Sequence, residues 1–328
     1  MPTDVRTRVW RNGTLEAENF SLAEVSDYLE QPDCLVWADL CAPTTEDLCA
    51  LAEELSLDEH AVEDAVAEHE RPKATRYATH LFLTTYALAH EPESGSLHTT
   101  RVSAFSLPRG FFTVRLDNAF AMDAVVKRWD ENDDLIKYGP RALMHGLLDV
   151  IVDGYFDTVE SLDDEIEALE DVLFEDSAKV AKDLQRRTFA LRKALVQSRR
   201  AILPMREVVN TVMRRAVDED RNAELGPYYQ DLYDHVLRAA EWTESLRDMI
   251  TSVFETNLSL ADARMNQIMK KLTSWAAIIA VPTAITGYFG QNIPYPGFGK
   301  QSGLVFSIVS MVLIAGALYV LFKRKDWL

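Results

Sequence analysis

The chain has 328 residues, enough for one large or two ordinary domains, and its 48% hydrophobic content excludes global disorder. Its formal net charge of −18 excludes a broad nucleic-acid-binding surface, because phosphate recognition needs an extended basic face. Cations are the natural partners of such a surface, and plain solubility is the other reading of the same charge.

Met1 to Arg11 carries early charges and no apolar core of the length a secretory signal requires, which predicts that the bulk of the protein stays cytoplasmic. Cys34, Cys41 and Cys49 are odd in number and lack metal-knuckle spacing, so they read as reduced thiols. Residues 1–140 alternate short β-rich runs with helical ones, predicting a cytoplasmic α/β domain. The strand-like runs are 34–40, 81–88, 102–107 and 110–115, and 45–55 is helix-like with Thr44 or Thr45 as N-cap ahead of Glu46 and Asp47. No phosphate-cradling glycine loop, nucleophile elbow or HExxH pair is present, so the chain is not read as an enzyme. His60, His69, His80, His90 and His98 crowd together without an i, i+4 pair and read as surface or core residues rather than metal ligands.

From about Pro140 the pattern is helical almost continuously, and 141–226 is predicted as antiparallel acidic helices. Leu147, Leu148, Ile151, Val152, Tyr155 and Val159 form an apolar stripe. The opposite face holds Asp153, Asp157, Glu160, Asp163, Asp164, Glu165, Glu167, Glu170 and Asp171, either a solvated face or a device that concentrates cations near a pore mouth. Gly226-Pro227 breaks the run, and no Pro or Gly follows until Pro282. A single helix is therefore predicted from about Pro227 into a membrane span, on the order of 90 Å at 1.5 Å per residue, with 227–271 as its stalk.

Between Leu272 and Phe322 the only charged side chain is Lys300. Two spans, 272–289 and 304–322, approach the roughly 20 residues needed to cross ~30 Å of hydrocarbon. Lys270 and Lys271 flank the first, and Lys323, Arg324 and Lys325 close the second, which places both termini on the cytoplasmic side of a plasma membrane. The Pro- and Gly-rich segment 292–303 suits a short extracytoplasmic loop. On a helical wheel Asn266, Met269, Thr273, Ala276, Ala280, Thr283, Gly287 and Gly290 share one side, with Trp275, Ile278, Pro282, Ile285 and Phe289 roughly opposite. Such a stripe serves close helix packing or lines a water-filled path, and a path requires several copies around an axis. No carboxylate lies in the stripe, so a passing ion would meet carbonyl, amide and hydroxyl oxygens with its water shell largely kept, which suits magnesium. A hairpin that only anchors a scaffold or sensor is the alternative of another class.

Several segments together resemble the CorA family of divalent metal ion transporters. Gly290-Gln291-Asn292 after the first span, with Tyr288 just before it, is similar to that family's Gly-Met-Asn signature. His69-Glu70-Arg71-Pro72-Lys73 resembles its His-Gln-Arg-Pro-Lys segment, and Leu203-Pro204-Met205-Arg206-Glu207 its Trp-Pro-Leu-Arg-Glu turn. Leu148-Asp149 through Asp153 to Glu170, Tyr233-Asp234-His235, Arg247-Asp248-Met249, Asn266 to Met269 and the terminal Phe322 to Leu328 also match, so the likeness runs from about Leu35 to the C-terminus. The resemblance implies a funnel-shaped homopentamer in a lipid bilayer, with the long helix as stalk and the first span lining the pore. It implies that Gly290, Gln291 and Asn292 meet the hydrated ion, that Thr283, Ala280 and Ala276 line the path, and that Leu272 and Met269 form a hydrophobic gate with Asn266 at the cytoplasmic end. Lys270, Lys271, Lys323, Arg324 and Lys325 would form a basic collar, and Glu255 falls near an acidic regulatory metal ligand. No resident cofactor is implied; magnesium is the transported and a candidate regulatory ion, with cobalt an alternate cargo. Gln291 replaces the signature methionine and the loop lacks an acidic Met-Pro-Glu segment, features that also resemble the zinc-transporting branch.

Overall fold

The computed structural model describes residues 4–67, 70–173, 178–218, 224–291 and 294–328. These form two compact units, Met1–Val253 and Phe254–Leu328.

The first unit is built on a seven-stranded sheet. Its strands are β1 (Asp4–Arg11), β2 (Thr14–Glu18), β3 (Cys34–Cys41), β4 (Lys73–Arg76), β5 (Leu81–Glu91), β6 (Ser96–Ser106) and β7 (Gly110–Arg115), in the spatial order β2-β1-β3-β7-β6-β5-β4. Only the β3–β7 pair is parallel. Helices cover both faces, and for that reason β3 is buried at all eight positions and reads as an apolar run without alternation, interrupted by Asp39. On one face Val36, Ala38 and Leu40 pack with Val9, Phe82, Phe105 and Phe112 under α1 (Val25–Glu30), α2 (Thr45–Leu55) and α3 (Glu59–Val66). Thr44 caps α2 in a capping box with Asp47, as its hydroxyl accepts from the Asp47 amide at 3.2 Å.

On the other face Trp129 of α4 (Met122–Glu131) sits edge-on against Trp37, Trp10 and Phe111 at ring separations of 5.0, 6.2 and 6.4 Å. Beside them lies a fully buried ion pair, Arg115 Nη2 to Asp39 Oδ2 at 2.5 Å, whose remaining acceptor capacity takes Thr113 Oγ1 at 2.6 Å. The long α5 (Pro140–Val172) follows, entered through Gly139 in the left-handed region at φ 75° and started by Pro140, whose missing N–H is harmless in a first turn. Its stripe from Leu147 to Val159 is buried. Glu165, expected on the solvated face, instead turns inward, with its side chain 15% exposed.

Helix α6 (Ala178–Asp218) packs on α5 and on the β4–β5 side of the sheet. The expectation of acidic helices through 141–226 fails here: α6 carries eleven Lys and Arg against three Asp and Glu. Of the two helices, α5 is the acidic one. Next comes α7 (Gly226–Phe289), unbroken for 64 residues and about 96 Å at 1.5 Å per residue. It continues through Pro282, where Thr286 Oγ1 donates to the Pro282 carbonyl at 2.8 Å. The last helix is α8 (Gln301–Arg324).

Among the described residues, two helices are long and apolar enough to cross a membrane: α7, through a window of mean hydropathy 1.4, and α8, at 2.6. Among the described residues, six of the exposed large apolar side chains lie before residue 254 and twenty-one from Phe254 onward, so the second unit presents an apolar surface that the described chain does not cover.

Candidate pore-lining face

Within the second unit, α7 packs one side on α8 and leaves the other open. Ser274 is buried, and Ala277, Ile278, Val281, Pro282, Ile285 and Phe289 are half-buried, with Phe289 and Phe306 in ring contact at 6.3 Å. Roughly opposite, Asn266, Met269, Leu272, Thr273, Ala276, Ala280, Thr283, Gly287, Gly290 and Gln291 are all exposed. Trp275, placed on the wheel with the packing side, is also exposed. The small and polar stripe is therefore not what joins the two helices of one chain. Glu255 is exposed eleven residues before Asn266, close to three full turns, and so lies on the same side of the helix.

The stripe's chemistry follows from helix geometry. Thr283 donates its hydroxyl proton to the Ile279 carbonyl at 3.1 Å, leaving the oxygen's lone pairs for a water or an ion. Gly290 ends the helix with its amide donating to the Thr286 carbonyl at 2.8 Å, and a Cβ there would approach that oxygen to 2.9 Å. The glycine is a steric requirement of the turn that presents Gln291. Asn292, expected as the outer ring, lies outside the described residues, as does His69.

The loop is braced. Tyr295 packs edge-on against Phe289 at 4.9 Å and against Phe298 at 5.3 Å, while Gly297 and Gly299 take φ of 93° and 72°. A Cβ on Gly303 would overlap the Gly297 carbonyl, so loop and helix start touch backbone to backbone. Lys270 and Lys271 lie 18 to 19 residues before the end of α7, and Lys323 and Arg324 lie 22 to 23 residues after the start of α8. The basic residues thus stand at similar distances from the bend. Trp327 folds back to stack on Phe322, at 5.7 Å and 9° between planes.

The one group of candidate metal ligands among the described residues lies in the first unit: Asp149 and Asp153 of α5 with His235 of α7. The Arg128 guanidinium bridges both carboxylates, reaching Asp153 at 2.7 Å and bonding Asp149, so a cation already occupies the position between them. Sequence reasoning missed this group because its members come from separate helices; the signal was the i, i+4 spacing of Asp149 and Asp153.

The family model described as CorA-like Mg2+ transporter protein matches residues 33–324. Among curated proteins the chain is similar to the cobalt/magnesium transport protein CorA of Thermotoga maritima, 28% identical over 96% of this chain and 92% of that one. It is also similar to the putative metal ion transporter YfjQ of Bacillus subtilis, 29% identical over 91% and 92%. Among solved structures it resembles the complete CorA magnesium transporter of Methanocaldococcus jannaschii, with TM-score 0.78 and 24% identity over the whole of both chains, and full-length CmaX, with TM-score 0.70 and 18% identity over 98% and 97%. The family model leaves out only the first 32 and last four residues, and the chain belongs to the CorA family, a family of transporters and not of enzymes.

Proposed function

We propose that several copies of the chain, five by the family resemblance, surround a pore lined by α7 and pass divalent cations, magnesium first and cobalt as a second cargo, inward along the membrane potential. The observation that carries the reading is the exposed small and polar stripe on α7, pointing away from α8 in a helix otherwise apolar enough for lipid. An anchor needs no such stripe. The transport named for the curated relatives agrees with it.

In this reading both termini are cytoplasmic, with the basic residues on the inner side. The hydrated ion meets Gly290, Gln291 and Asn292 first, exchanges water contacts with Thr283 and passes Ala280 and Ala276. Leu272 and Met269, exposed apolar side chains on the stripe, form a constriction that closes by excluding water. Asn266 and the basic collar follow, and Glu255 serves as a metal-sensing carboxylate.

Flux into proteoliposomes tests the proposal. Wild type takes up magnesium and cobalt in response to an inside-negative potential; Asn292→Ala abolishes uptake, and Met269→Ser with Leu272→Ser leaks at rest. Normal transport by Asn292→Ala removes the pore assignment. Gln291 supports a second reading, zinc transport coupled to protons, which predicts uptake of zinc that rises with an imposed pH gradient and little response to potential alone.

A further inference from the structure

A cleft of about 720 Å3 opens where α6 passes the β4–β5 side of the sheet. Its walls join two segments far apart in sequence: Glu70-Arg71-Pro72 ahead of β4, and Ala201, Leu203 and Pro204 of α6. Both belong to stretches that carry the family resemblance, and the pore reading gives neither a task. The volume falls within the roughly 300–1,000 Å3 of small-molecule sites and far exceeds what a bare anion fills.

The charge of the cleft runs against that of the protein. In a chain of net charge −18, its helical wall is α6, with eleven basic and three acidic residues. Glu70, the acidic residue of the lining, is neutralised by Lys73 at 2.8 Å. Arg199 is ion-paired with Glu244. Arg71 and Arg200, on opposite walls, are exposed and have no ion-pair partner among the described residues. Planar guanidiniums with several donors suit phosphate oxygens, and Thr99 and Gln197 add neutral donors. The rest of the lining is apolar or aromatic: Pro72, Val196, Leu203 and the ring of Tyr86, whose hydroxyl is held by donating to the Glu70 carbonyl.

We propose that this cleft binds a nucleoside phosphate, with the phosphates on Arg71 and Arg200 and the nucleoside against Tyr86, Val196 and Leu203. Binding, not hydrolysis, is the assignment, because the chain has no phosphate-cradling glycine loop. The proposal does not rest on which ion the protein transports, and its measurement involves no flux.

Calorimetric titration of the full chain in detergent with ATP, ADP and inorganic phosphate, in excess EDTA, tests it. One nucleotide binds per chain; Arg71→Ala and Arg200→Glu each weaken ATP binding by about tenfold or more; Arg200→Lys falls between; and Lys127→Ala, a remote exposed lysine, changes nothing. Melting curves of each variant separate lost binding from lost folding, and both arginines are exposed enough to be replaced. Absence of nucleotide binding at millimolar concentration, equal affinity for phosphate and ATP, or ATP affinity unchanged in both arginine variants would each overturn the assignment.

Discussion

Burial holds the imidazoles of His80, His90 and His145 below their ordinary pKa, and each is therefore neutral in the fold near pH 7. The His90 side chain is fully buried between Ser161, whose hydroxyl meets Nδ1 at 2.9 Å, and Glu165 Oε1, 3.8 Å from Nε2. Burial also lifts the Glu165 carboxyl above its usual range, opposed by the nearby Arg187. As pH falls through about 6.5 the unfolded chain takes up protons that the folded imidazoles refuse, so stability falls. Glu165 has the opposite sign: its folded form holds a proton more readily, and its contribution is lost as pH rises above the ordinary carboxylate value. Three histidines outweigh one glutamate. The melting temperature is expected to drop between pH 7.5 and 5.5, with a smaller drop in His90→Gln and in His145→Gln, measured by thermal denaturation in detergent. The Asp39–Arg115 pair gives a second expectation at this scale. Removing one member leaves a buried charge, so Arg115→Ala costs about 3–5 kcal/mol in urea unfolding, while Asp39→Leu with Arg115→Met costs less than Arg115→Ala alone.

Elements were legible where one physical signal dominates. β3 and β7 read as strands because their runs are rich in apolar and β-branched side chains, and of the two cap candidates ahead of Glu46 and Asp47, Thr44 and Thr45, the structure uses Thr44. The length of α7 followed from the absence of Pro and Gly between Pro227 and Pro282. β1 was not legible: Arg6, Arg8 and Arg11 read as a charged terminus, yet Arg8 pairs with Glu18 at 2.5 Å and Asp130 at 2.7 Å, and Arg6 with Asp123, partners that sequence proximity cannot supply for α4. The acidic reading of α6 failed because it averaged two helices of opposite charge. α4 and α5 meet at a contact only glycine permits: a Cβ on Gly146 would lie 2.6 Å from the Trp129 ring, whose Nε1 donates to the Leu143 carbonyl at 3.0 Å. Gly146→Ala should overpack this crossing and cost about 1–3 kcal/mol, read from the denaturation midpoint with unchanged slope.

Across the whole molecule, the two units differ in what covers them. The first has its own sheet, a two-sided core and few exposed large apolar side chains, whereas the second is apolar on its outside. Residues 1–253 alone are expected to stay soluble without detergent, with mixed helix and strand circular dichroism and one cooperative melt, and the full chain to require detergent. Precipitation of the fragment would mean that its core depends on what lies beyond Val253. The stripe of the candidate pore was legible because helical periodicity needs only sequence. The Asp149–Asp153–His235 group was not, because its geometry depends on how α5 and α7 pack, and the orientation of Asn292 lies outside the described residues.

The bend between α7 and α8 behaves as a clasp. Tyr295 is wedged against Phe289 and Phe298, and Gly303 sits on the Gly297 carbonyl, so the joined ends of the two helices have little room to separate. A pair of rods clasped at one end moves as dividers do: the angle opens at the hinge and the width appears at the points. Any change in that angle would therefore be largest near Asn266, Met269 and Leu272, the far end of the exposed stripe, and smallest at Gly290 and Gln291. On the proposed pore reading, an entrance of constant bore with an exit that varies would be a valve seated on one side only.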